Sequence, residues 1–116
     1  MILFNMAKTK KQKTIEPHWQ PLVQCWFDFT KARYLDEPTF SGSAPRDLKN
    51  IIQELRRRAE KNGVEWTEQI AVNRLRAFLE FAYDSSQWLR KNWLLSNINR
   101  QKDTVFFEIA RLTKHE

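Results

Sequence analysis

Arg56, Arg57, Arg58 and Lys61 form the densest group of chemically capable side chains in this sequence, and the chemistry they offer is anion binding. Guanidinium and ammonium groups carried on a rigid helix can hold phosphate oxygens, and such contacts supply affinity without reading sequence. Consecutive helical residues lie about 100° apart, so the three arginines splay around the helix and cannot all face a core. The same residues allow another reading. Glu54 can pair with Arg58 at i+4 and Arg57 with Glu60 at i+3, which would make this an ordinary solvated face.

Two further basic stretches invite the same question. Between Ser85 and Lys102, the cations Arg90, Lys91, Arg100 and Lys102 interleave with Trp88 and Trp93 and with the amides Asn92, Asn97, Asn99 and Gln101. Rings that stack on bases beside cations that hold phosphates are what a single-stranded nucleic-acid surface uses. Tryptophans at helical spacing are also ordinary core residues. The third stretch is the N-terminal segment 1–16, where Lys8, Lys10, Lys11 and Lys13 stand against Glu16 alone and supply half of the net charge of +6. A segment so poor in apolar surface is expected to be a flexible basic tail, either a polyanion-binding arm or a solubilising terminus.

Covalent, metal and acid–base chemistry have little to work with. Cys25 is the single cysteine, so no internal disulfide can form, and Val23, Trp26 and Phe27 around it favour a buried thiol in a reducing compartment. Only His18 and His115 could serve it as a base; His18 lies seven residues upstream, about two helical turns away. One Cys and two scattered His make no metal-ligand spacing. Asp36 with Glu37, and Glu65 with Glu68, sit where helices begin or end and suit capping. The expectation is a protein that is not an enzyme, with no cofactor, no metal and no small-molecule substrate.

These side chains need elements to position them, and the periodicity supplies helices. Leu48, Ile51, Ile52, Leu55 and Ala59 recur at i, i+3, i+4, i+7 and i+11, one face of a helix running to Gly63, with Ser43 as its cap and Pro45 in its first turn. An earlier helix, with Pro17 or Pro21 in its first turn, runs to about Leu35; Leu22, Trp26 and Phe29 make its face, with Val23 and Phe27 beside it. So many large side chains need wide cover, which places this helix centrally or against another subunit. Phe40 is expected to pin the connection between the two. Thr67 caps a third helix to about Asp84, buried through Ala71, Leu75, Phe78, Leu79 and Ala82. Helical spacing then continues from Ser85 or Ser86 through Trp88, Leu89, Trp93, Leu95, Ile98, Val105, Phe106, Ile109 and Leu112, broken or bent within 97–102. With 116 residues, five Trp, eight Phe and only two Gly, the fold expected is all-α: one small orthogonal or irregular bundle of four to five helices over residues 17–116.

No membrane span or secretory signal reads out, since the apolar Met1–Phe4 precedes the lysines, and a cytoplasmic location is expected. Met6 opens MAKTKKQK and looks like a start in its own right, which would make residues 1–5 an upstream extension.

The run of Trp26, Phe27 and Phe29, then Phe40 and Gly42, the Leu48, Lys49, Ile51, Ile52, Leu55 series, and finally Trp88, Leu89, Asn92, Leu95, Ile98, Asn99 and Gln101 resembles helical segments of replication-associated proteins of phages and bacterial mobile elements. Replisome organisers and helicase loaders are among them. The resemblance spans residues 19–101 and consists of hydrophobic spacing with a few amides. In those proteins the helical module is joined to a DNA-binding winged-helix domain, so the resemblance implies a stand-alone module whose partner supplies the rest. Two functions follow as expectations. The first is accessory binding of DNA or RNA in a replication or mobile-element setting, and the second is a protein-interaction or homo-oligomerisation module that never touches nucleic acid.

Overall fold

Apolar spacing of three and four residues, with glycine confined to joints and proline to joints and first turns, favours helices. The structure, a computed structural model, describes residues 16–114 and contains six helices and no strand among them. They are α1 (Trp19–Tyr34), α2 (Ala44–Lys61), α3 (Glu68–Ser85), α4 (Gln87–Lys91), α5 (Leu95–Arg100) and α6 (Lys102–Lys114). Four are long and two are short. None is long and apolar enough to cross a membrane.

Local chemistry explains the boundaries. Pro21 falls in the first turn of α1, where a missing N–H costs no helical bond. Pro45 does the same for α2. Ser43 precedes α2 as expected but does not cap it through its side chain: its hydroxyl donates to Asp47 Oδ2 at 2.9 Å instead of accepting a backbone N–H. Gly63 follows α2 with φ of +78°, a left-handed conformation that an L side chain would adopt only under strain. Thr67 caps α3 by accepting the Ile70 N–H at 3.2 Å, and Ser86 caps α4 by accepting that of Leu89 at 3.1 Å.

The hub is α3, which packs against α1, α2, α4 and α6, while α5 bridges α2 and α6. Its Ala71, Leu75, Phe78, Leu79 and Ala82 are buried, as are Leu48, Ile51, Ile52, Leu55 and Ala59 of α2. The aromatic helix α1 is therefore not central. Its wide apolar surface is covered by Phe40, 6.4 Å from Trp19 and 5.6 Å from Phe27 between ring centroids, and on its other side by Trp93 and Tyr83.

Trp93 owes its inward position to a break the periodicity did not announce. Helical spacing stops at Asn92, whose backbone N–H closes the last turn of α4 and whose side-chain amide donates to the Trp88 carbonyl at 2.9 Å. The turned chain drives the Trp93 ring between α1 and α3, stacked 5.9 Å from Trp26 and 5.7 Å from Phe29, edge-on to Tyr83 at 5.5 Å. Its indole N–H donates to the Thr30 hydroxyl at 3.0 Å. The second break, at Gln101, falls inside the polar stretch where one was expected.

Glu16, expected to close the tail, belongs to the folded body. Its carboxylate accepts the Trp66 indole N–H at 3.0 Å and the His18 backbone N–H at 3.1 Å, and lies 3.7 Å from Arg56. His18 is turned toward the Trp66 carbonyl at 3.3 Å, away from any service to Cys25.

Candidate nucleic-acid and protein-docking surfaces

Two glutamates of its own helix pair with the arginine triplet of α2. Glu54 takes both Arg57, through a two-point contact, and Arg58, at 2.7 Å, while Glu60 takes Arg56 at 3.0 Å. The pairing differs from the expected one in that Glu60 meets Arg56 and not Arg57. Rotamers on one exposed face differ by only tenths of a kcal/mol, so sequence spacing alone does not choose between such pairs. The hydrogen bond from Arg57, helped by Arg58, holds the Glu54 carboxyl below its ordinary 4.5. These contacts are therefore complete at neutral pH and are lost only as pH falls through that lowered value. Arg58 also lies 4.3 Å above the Phe106 ring, so its guanidinium serves packing as well as charge.

The stretch from Ser85 to Lys102 is likewise drawn into structure. Arg90 donates to the Tyr83 and Asp84 carbonyls at 2.7 and 3.2 Å, satisfying the C-terminal end of α3, and its own carbonyl accepts the Tyr34 hydroxyl. The amides do the same: Asn97 donates to the Asn92 carbonyl at 2.9 Å, and Asn99 to buried Asp47 at 3.0 Å, tying α5 to the start of α2. Of the two tryptophans, Trp93 is core and Trp88 is half exposed. Lys61, Lys91 and Arg100 are exposed and Lys102 half-buried, none with an ion pair among the described residues. Lys8, Lys10, Lys11 and Lys13 lie outside the described residues.

What sequence reading missed is a groove. The C-terminal half of α2, the middle of α3 and the adjoining side of α6 line an open slot of about 1010 Å³. Leu55, Phe78 and Phe106 form its buried floor, and Phe81, Ile109 and Phe107 its walls. Phe107 is 65% exposed. Arg58, Arg74 and Arg111 stand along the edges, and among the described residues no Asp or Glu lines it. Arg111 is paired with Glu108 at 2.6 Å, whereas Arg74 has no ion pair among the described residues. One signal was present in the sequence: Phe106 and Phe107 are adjacent, so on a helix packed along one face they diverge by about 100° and only one can be buried.

Cys25 is buried, and its thiol points toward the Val72 carbonyl 3.9 Å away. Burial foremost pushes its pKa from 9.0 up to about 11, with Asp28 and Glu80 adding and Arg76 opposing. At pH 8 the thiol should resist a disulfide-exchange reagent in the native protein and react promptly in denaturant, as a timed absorbance assay would show. Because the folded state favours the neutral thiol, the contribution of Cys25 to stability should be constant well below pH 9.0 and turn unfavourable as pH rises through 9.0 toward about 11.

No protein family, curated protein or solved structure matches the chain.

Proposed function

We propose that this chain is a non-enzymatic helical interaction module that docks a protein segment in the groove between α2, α3 and α6. The observation that carries this is the groove itself: an open apolar slot of about 1010 Å³ flanked by a phenylalanine left 65% exposed. Contiguous apolar surface on a small protein marks an interaction site far more often than isolated exposed residues do. The replication setting is proposed on the resemblance of residues 19–101 alone. A second reading, accessory nucleic-acid binding, draws support from the net charge of +6 and from Lys61, Lys91 and Arg100, exposed and without ion pairs among the described residues.

Titrating the full chain with mixed-sequence duplex and single-stranded DNA and RNA separates the two readings. An interaction module should bind them weakly at about 50 mM salt, and the binding should vanish by about 200 mM. Neutralising Lys8, Lys10, Lys11 and Lys13 to Gln should remove what binding there is, while Phe107→Asp leaves it unchanged. Binding that survives the lysine changes and is lost on charge reversal at Arg57 and Arg58, with stability intact, would favour the second reading over the first.

A further inference from the structure

We infer that the occupant of this groove is one amphipathic helix of a partner protein, about three turns long, with acidic side chains flanking its apolar anchors; the inference rests on the docking reading above. Length is the first argument. The lining runs along α3 from Ile70 to Phe81, eleven steps of helix or about 17 Å, which matches about three turns of a helix laid alongside. Chemistry of the lining is the second. A floor and walls of Leu, Ile and Phe accept side chains spaced i, i+3, i+4 and i+7, the way grooves between helices take peptide helices.

Charge is the third argument, and it selects the partner. Arg58, Arg74 and Arg111 border the slot with no carboxylate among the described lining residues, so every charged side chain that lines it is a cation, beside the neutral amides of Asn62 and Asn73. The carboxylates that pair Arg58 and Arg111 belong to Glu54 and Glu108, which do not line the groove. Arg74, half-buried and without an ion pair among the described residues, is the cation most open to a new partner. A nucleic-acid strand suits the slot less well, because its phosphates and sugars would be desolvated against Leu55, Ile70 and Ile109. A second copy, with its net charge of +6, would bring excess positive charge to an already cationic border.

The test is a selection in which the full chain is bait for displayed helical peptides of about 18 residues, roughly five turns, with leucine fixed on one face and all other positions randomised. Winners should carry Asp or Glu beside their leucines and should be released by Phe107→Asp and, independently, by Ala77→Glu, both at exposed positions. Arg74→Glu should weaken the best winner about tenfold, and exchanging the peptide's facing Glu for Lys should restore it. Groove-dependent winners with neutral or basic flanks would overturn the acidic-helix inference while leaving the docking reading in place. Failure to select any peptide sensitive to both groove variants would overturn the two together. So would displacement of the winners by oligo-dT, or dimerisation of the chain that Phe107→Asp abolishes.

Discussion

Trp26→Ala should destabilise the folded chain by about 3–5 kcal/mol, the usual cost of emptying a large aromatic from a packed core. Trp26 is 1% exposed and lies stacked on Trp93, so its removal leaves a cavity bounded by α1, α3 and the 92–94 turn. Urea unfolding of the monomer reads the loss directly. If the substitution instead left monomer stability intact and dissociated an oligomer, the ring would belong to an interface between copies. A companion substitution sharpens the expectation. The indole N–H of Trp26 has no partner among the described residues, whereas that of Trp93 donates to Thr30. Trp26→Phe discards an unmet donor and should therefore cost less than Trp93→Phe, which strips a buried hydroxyl of its partner.

The second large effect is expected on binding rather than folding. Phe107→Ala should weaken a groove-bound peptide by more than about thirtyfold, or about 2 kcal/mol, because a large aromatic that a bound partner covers carries much of the affinity of a docking surface. The same change should move unfolding free energy by no more than about 0.5 kcal/mol, since the ring is 65% exposed in the free protein. Peptide titration and urea unfolding on one preparation measure both. A loss of stability matching the loss of binding would mean that Phe107 is a packing residue.

The helices and their buried faces were legible because each depends on residues close in sequence. The stripe from Leu48 to Ala59, the left-handed turn at Gly63, the cap at Thr67 and the pinning of Phe40 are set by local spacing and backbone preference. Trp93 and Trp88 could not be told apart in that way. Their fates are decided at Asn92, where a side-chain amide ends the helix and turns one ring into the core. The arginine cluster was visible, but the pairing of Arg56 with Glu60 and of Arg57 with Glu54 depends on rotamers that differ little in energy. The groove was the least legible. Its lining comes from three helices distant in sequence, and periodicity assigns each helix an inner face without saying how far apart packing will hold those faces.

Photo-crosslinking in cells that naturally carry the chain tests docking in the groove most directly, with benzoylphenylalanine placed at position 107 in one version and at position 91 in another. The account predicts a protein adduct at 107, lost when Ala77→Glu is added to the same chain, whose crosslinked peptide is helical and bears acidic residues beside apolar ones. Nucleic-acid adducts at 91 with none at 107 would contradict it, as would an adduct at 107 that contains only a second copy of this chain.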